Sequence, residues 1–264
     1  MLIGVFGDAS HSPIIKASVE GLTKLGLPFR IRQNMWFEPR DGKDITCAFF
    51  QNATPSARAA FEYFRKIDVP CYFFDYGYFS RANEQNLDSG YFGINKNTWE
   101  RYLVTGPKPA DRFNTLGLQL KEEQSEGDYI LVCGQDEGAG IDWAVTAYLK
   151  LKSLGFSKPI LWRPHPRWKV DAKLDGVQSG EIDWSEVWFT VVRSSNMGNI
   201  SLLNGVPIYS AYQFAMYHYM AFQDDHVCIQ GDRQDYFNRL AYSQWSIDEI
   251  KSGEALVPYI KGEA

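Results

Sequence analysis

The stretch from Asp128 to Pro166 constrains this chain most, because it spells strand, glycine-rich turn, helix and second strand in unbroken succession. Tyr129-Ile130-Leu131-Val132-Cys133 is short and continuously apolar, the pattern of a strand covered on both faces. Gly134-Gln135-Asp136-Glu137-Gly138-Ala139-Gly140 breaks the run. Apolar residues at helical spacing then occupy Ile141 to Leu154, Gly155 stops them, and Pro159-Ile160-Leu161-Trp162 opens the next strand. Two strands joined by a helix in this way form a parallel pair with a right-handed crossover.

Ligands of such sheets gather beyond the carboxyl ends of the strands, where the glycine turn and Arg163-Pro164-His165-Pro166 both fall. The pattern predicts a site for a phosphorylated ligand. Gly134 and Gln135 bring the backbone to the start of a helix, which favours an anion. Arg163 can hold phosphate through two parallel hydrogen bonds, and His165 can donate a hydrogen bond or a proton. The alternative is that Arg163 and His165 cap strands or pair with carboxylates.

The same alternation runs through the first part of the chain. Leu2 to Phe6 reads as a strand, Gly7 to Pro13 as a loop, Ile14 to Leu25 as a helix ended by Gly26, and Phe29 to Arg32 as a strand. Ile45 to Phe50 is a further strand, Thr54-Pro55-Ser56 starts a helix through Ile67, and Val69 to Phe74 is the strand after it. The expected fold class is therefore α/β, with two Rossmann-like parallel-sheet domains facing a cleft. Residues 1–115 would form the first and 116–264 the second. Thr105 to Gly127, rich in Pro, Gly, Lys and Glu, reads as the linker. Asp232 to Ile260 reads as terminal helices that could pack back on the first domain, with Ser246 and Glu249 spaced as a capping box.

Composition narrows the class. Of the 264 residues 45% are apolar, enough to bury real cores, and the net charge of −5 argues against a broad grip on polyanions. Aromatic content of 15% suits core packing, and also stacking on sugars or bases. Cys47, Cys71, Cys133 and Cys228 are far apart and mostly within apolar runs, so they read as reduced thiols. The histidines are scattered, and no metal site is expected. The opening run Met1 to Phe6 is too short for a signal core or a membrane span, which makes the cytoplasm the default expectation.

Three further strand ends carry chemistry. Gly7-Asp8-Ala9-Ser10-His11-Ser12-Pro13 offers a carboxylate, hydroxyls and an imidazole, unless Asp8 or Ser10 serves only as a helix cap with His11 on the surface. Asp75-Tyr76-Gly77-Tyr78-Phe79-Ser80-Arg81 places an acid and an arginine after an apolar run; the alternative is an Asp75–Arg81 pair that pins a turn. Glu186 to Val192 reads as a strand, followed by Arg193-Ser194-Ser195-Asn196-Met197-Gly198-Asn199 and a helix from Ile200. Ser194, Ser195 and Asn196 then form a second anion cradle, or one serine is a simple N-cap.

The order of these pieces resembles the GT-B glycosyltransferases of capsular-polysaccharide synthesis, the Kdo-transferase-like group. Asp75-Tyr76-Gly77-Tyr78-Phe79-Ser80-Arg81 is similar to that group's Glu-Asp-Gly-Phe-x-Arg-Ser motif, and Arg163-Pro164-His165-Pro166 to its His-Pro motif. Ser194-Ser195 with Gly198, then Leu202-Leu203-Asn204-Gly205-Val206-Pro207, resembles its Ser-x-x-Gly-x-x-x-Leu-Leu-x-Gly-x-Pro run. The resemblance is strongest from Tyr129 to Tyr219. This chain departs from it in carrying Asp75-Tyr76 for the acidic pair and in lacking the glycine-tryptophan pattern in the aromatic segment.

The resemblance implies sugar transfer from a nucleotide sugar as donor substrate, with no bound cofactor or metal. The donor would be held by Gly134, Gln135, Arg163, His165, Ser194, Ser195 and Asn196. Asp75, with Asp8 or His11 in its place, would act as base or nucleophile, and Ser10, Tyr76, Tyr78 and Arg81 would meet the acceptor. The acceptor is a glycan or small molecule, or a hydroxymethylated pyrimidine in DNA if a basic face gathers Arg30, Arg32, Arg40, Lys43, Arg58 and Arg65. The competing classes are a noncatalytic nucleotide or sugar-binding protein and a GT-B sugar-nucleotide epimerase.

Overall fold

A computed structural model describes residues 1–8, 11–32, 37–51, 55–80, 89–98, 103–134, 140–165, 174–210, 212–213, 215–224 and 226–263, without the side chains of 40–41, 55–56 and 140–142. The chain forms two compact units, Met1–Leu116 with Asn238–Ala264, and Gly117–Phe237.

The first unit is built on β1 (Ile3–Phe6), α1 (Pro13–Lys24), β2 (Phe29–Arg32), α2 (Pro39–Gly42), β3 (Cys47–Gln51), α3 (Pro55–Lys66), β4 (Cys71–Tyr76), β5 (Tyr91–Lys96) and α4 (Asp111–Thr115). Its sheet has the order β11-β5-β4-β3-β1-β2, where β11 is Gln244–Ser246. The apolar strands β1, β3 and β4 lie side by side in parallel and bury both faces. Phe6, Phe50 and Phe73 stand in register across them, with ring centroids 4.7 and 5.1 Å apart, and pack under α3. Val5, Phe49 and Tyr72 line the opposite face against α1, α8 (Ile247–Ser252) and α9 (Val257–Lys261). Cross-strand aromatic rows of this kind are what make a sheet face worth burying.

Two strands depart from the expected pattern. β5 and β11 are antiparallel to their neighbours. No helix intervenes between β4 and β5 among the described residues, so the chain returns alongside rather than crossing over. Pairing with β5 also carries β4 past Phe74 through Asp75 and Tyr76, two residues expected in a loop.

The second unit follows the alternation closely: β6 (Tyr129–Cys133), α5 (Gly140–Ser153), β7 (Ile160–Arg163), β8 (Gly176–Val177), β9 (Val187–Val192), α6 (Met197–Leu203) and β10 (Ile208–Ser210), with 3-10 turns at Trp184–Glu186 and His218–Met220. Its sheet is parallel throughout, in the order β10-β9-β6-β7-β8. The apolar β6 is the middle strand and is buried along its whole length. Ala144, Ala147 and Leu151 of α5 cover one face. α7 (Arg233–Tyr242) begins in this unit, where Tyr236 Oη donates to the buried Asn199 Oδ1 of α6.

The segment expected as a plain linker is tied down instead. It contains α4, and beyond Gly117 it bonds into the second unit: Lys121 N–H donates to Leu203 O at 3.0 Å and Gln124 N–H to Gly205 O at 2.8 Å. The four cysteines are free thiols. Burial pushes Cys47 and Cys133 up to about 12, although Arg163 partly offsets the effect at Cys133, so both are inert neutral groups.

Arg112 of α4 fastens the C-terminal segment to the first unit. It makes a bidentate pair with Glu249 at 2.7 and 3.2 Å, donates to Ala241 O and Gln244 O at 3.3 and 2.9 Å, and lies 4.4 Å from the Trp245 ring centroid. Glu249 closes the capping box of α8, accepting from Ser246 N–H at 2.7 Å. Burial raises the Glu249 carboxyl, but the Arg112 and Ser246 hydrogen bonds outweigh it and leave the group below its ordinary 4.5. A depressed folded-state value stabilises the fold above the unfolded value, and that stabilisation is lost as pH falls through the folded one. Glu249→Gln is therefore expected to destabilise by about 2–3 kcal/mol at neutral pH. In urea melts the gap to wild type should narrow below pH 4.5; a gap that stayed constant on acidification would contradict this account.

Candidate functional site

Because the second sheet is parallel, register alone decides what meets at its carboxyl edge. Cys133 is opposite Arg163, Val132 opposite Val191, and Val192 opposite Ser210. Gly134, Arg163 to His165, Arg193 to Asn196 and Tyr212 therefore follow neighbouring strand ends, along one edge.

Gly134 is where two of these segments touch. Its N–H donates to Arg163 O at 2.7 Å, and a Cβ there would lie 2.8 Å from His165 N and 3.0 Å from the Trp162 ring. Only glycine lets the turn after β6 pass so close to the Arg163–His165 backbone. Arg163 is half-buried, and its Nη1 donates to Gly180 O at 2.8 Å. That bond fixes the side chain while occupying only part of a five-donor guanidinium. His165 is half-buried beside it. Gln135 lies outside the described residues.

At the end of β9, the Arg193 guanidinium lies 5.2 Å from the Tyr212 ring centroid, a cation–π contact. This second fixed cation at the edge had no signal of its own in the sequence beyond its place before the serines. α6 starts at Met197, earlier than helical spacing suggested, so Gly198 and Asn199 are inside it. Asn196 is the N-cap, and Ser195 just before it engages the helix start: its Oγ accepts from Met197 N–H at 3.3 Å and its carbonyl from Gly198 N–H at 3.1 Å. The cradle is thus narrower than expected, because these first-turn donors are already engaged.

The Ser194–Gly198 segment is rigidly backed. Tyr217, buried, donates from its hydroxyl to Ser195 O at 2.9 Å, and its ring lies where a Gly198 Cβ would be, 2.6 Å away. Asn199 donates to Asn196 Oδ1 at 2.9 Å, turning the Asn196 side chain back along the helix.

In the first unit, β1 and β4 end on the same edge with β3 between them. Two residues past the Phe6, Phe50 and Phe73 row come Asp8, just beyond the end of β1, and Asp75, still within β4, so both belong to this edge. Asp8 Oδ2 is 2.8 Å from His11 Nδ1, an orienting contact on an exposed imidazole. Ser12, rather than Asp8, caps α1, accepting from Ile15 N–H at 3.3 Å. Asp75 Oδ1 accepts from Tyr76 N–H at 2.7 Å, and both residues are half-buried. Tyr78 is 2% exposed, which corrects its expected role: an acceptor has no access to its ring, and the residue packs inside. Ser10 and Arg81 lie outside the described residues.

The first unit also has a pocket of about 270 Å³ lined by Tyr91, Arg112, Ser246 and Glu249. The Arg112 and Glu249 groups in its wall are already bonded to one another and to Ser246, so it reads as the outer side of a structural ion pair. Among the described residues no group of three His, Cys, Asp or Glu is placed to hold a metal, and no helix is long and apolar enough to cross a membrane. Arg65, one of the residues a nucleic-acid face would need, is paired with Glu62 at 2.8 Å.

No family model matches this chain, and no curated protein sequence matches it. Solved structures do. The chain is similar to KpsC of Thermosulfurimonas dismutans, in its β-Kdo 2,4-transferase, with 13% identity over 95% of this chain and 98% of that chain and a TM-score of 0.60. It is also similar to the β-Kdo 2,7-transferase of the same KpsC, with 12% identity over 97% and 99% and a TM-score of 0.55. At such identity the likeness shows the fold, two Rossmann-like α/β units of the GT-B type.

Proposed function

We propose that this chain is a glycosyltransferase that moves a sugar from a nucleotide-activated donor to the hydroxyl of a glycan or small-molecule acceptor, without a bound metal. The nucleotide belongs to the second unit, and the acceptor and the reacting carboxylate to the first. The observation that carries this reading is the grouping of Arg163, His165, Arg193 and Ser195 on one carboxyl edge of a parallel sheet, in a fold shared with two sugar transferases.

Transfer leaves negative charge on the departing phosphate. Two guanidiniums anchored by Gly180 O and by the Tyr212 ring, with the His165 ring and the Ser194 and Ser195 hydroxyls, can stabilise that charge without first having to be ordered.

A thermal-shift panel of nucleotides and nucleotide sugars tests the donor site. One nucleotide family at about 100 times its Kd should stabilise the protein by about 2.7 kcal/mol. Arg163→Ala and His165→Ala should each remove most of the shift, measured against the variant's own unliganded Tm because Arg163 also holds Gly180. No stabilisation by any nucleotide would end the transferase reading.

A further inference from the structure

Gly93 of β5 stands opposite Asp75 of β4 on one side and opposite Gln244 of β11 on the other. Residues paired across strands project from the same face, so Asp75 and Gln244 flank a position that has no side chain. The phenol of Tyr78 lies over it: a Cβ on Gly93 would be 3.5 Å from Tyr78 Oη and 3.8 Å from its Cζ. The Tyr78 phenol thus covers the side-chain-free position that separates Asp75 from Gln244.

What holds Tyr78 there is Gln244. After β4 the chain turns, Gly77 N–H donates to Tyr91 O at 2.8 Å, and the next two amides, Tyr78 N–H and Phe79 N–H, both donate to Gln244 Oε1 at 2.7 and 3.0 Å. One carbonyl oxygen has two lone pairs and receives two consecutive donors. The amide cannot be reversed, since its NH2 would then face two N–H groups. Gln244 is 0% exposed, and its Nε2 is buried without an acceptor among the described residues. A half-satisfied buried amide is a poor choice for stability alone, so the position points to the turn it holds. Gln244 is itself fastened, its carbonyl accepting from Arg112 Nη2 at 2.9 Å.

We propose that Gln244 is a positioning residue for Asp75, acting through the Gly77–Phe79 turn and the Tyr78 ring; this rests on the proposed role of Asp75 in sugar transfer. The side chain comes from the C-terminal segment, so that segment completes the reacting edge of the first unit.

Gln244→Met keeps length but removes the acceptor, whereas Gln244→Glu keeps an oxygen for both amides. Hydrogen exchange at the Tyr78 and Phe79 amides, measured without substrate, should speed up about tenfold or more in Gln244→Met and stay near wild type in Gln244→Glu. With the nucleotide sugar identified by thermal shift, kcat should fall roughly 10- to 100-fold in Gln244→Met with KM for that donor unchanged, and recover in Gln244→Glu. Faster exchange with an unchanged kcat would overturn the positioning role, as would equal kcat losses in the two variants. Absence of any turnover by the unmodified protein would instead sink the transferase reading, and the substrate-free exchange data tell the two failures apart.

Discussion

Gly205→Ala is expected to destabilise the second unit by at least about 3 kcal/mol, the range of a severe steric and backbone defect. Gly205 has φ of +78°, and a Cβ there would lie 1.8 Å from Glu122 O and 2.8 Å from its carbonyl carbon. Neither side can yield. Glu122 is held on one side by Lys121, whose N–H donates to Leu203 O at 3.0 Å, and two residues on by Gln124, whose N–H donates to Gly205 O at 2.8 Å. Arg233 Nη1 also donates to Lys121 O and Leu202 O, at 2.8 and 3.1 Å. Gly155 is the control: its φ is +84° with nothing within 4 Å of its Cβ position. Gly155→Ala should therefore cost only the left-handed strain, about 1 kcal/mol. Urea denaturation of both variants separates the two terms, and equal losses would show that the contact with Glu122 relaxes.

What was legible in the sequence was local or dictated by parallel topology. β6 could be read because a central strand needs apolar residues on both faces, and Tyr129 to Cys133 has nothing else. β2 and α1 followed from alternation, although α1 starts one residue earlier than its apolar spacing, behind the Ser12 cap, and the Ser246–Glu249 capping box followed from its spacing. The strand ends around Arg163 and Ser195 were legible because a parallel sheet sends all such ends to one edge.

The rest depended on partners distant in sequence. β5 contains Gly93 and Asn95, which weaken a strand pattern, yet Asn95 is 1% exposed because neighbouring strands bury it. The extension of β4 through Asp75 exists only because β5 pairs with it. The Arg112–Glu249 clamp joins residues 137 apart, and no periodicity reports such a pair. Nor could spacing reveal that Ser195 would engage the first-turn donors of α6, since that depends on where the helix starts.

Asp75→Asn is expected to lower transfer at least about 10³-fold while leaving nucleotide affinity unchanged, the effect of removing a reacting group outside the donor site. Asparagine keeps Oδ1, so the 2.7 Å bond from Tyr76 N–H survives, and the backbone pairing with Gly93 is untouched. What disappears is the negative charge that would take a proton from the acceptor hydroxyl or attack the anomeric carbon. The rival at the same edge is the Asp8–His11 pair, with 2.8 Å between Asp8 Oδ2 and His11 Nδ1. An imidazole oriented by a carboxylate is a competent general base, and the pair follows β1, on the far side of β3 from Asp75. The two candidates give opposite patterns. If Asp75 reacts, Asp75→Asn abolishes turnover and His11→Ala leaves most of it; if the pair reacts, His11→Ala abolishes it, Asp8→Asn weakens it and Asp75→Asn is nearly neutral. Steady-state turnover of the three variants, with nucleotide binding checked in each, decides between them. Product configuration then completes the assignment for Asp75, because a base inverts the anomeric centre in one displacement and a nucleophile retains it through two.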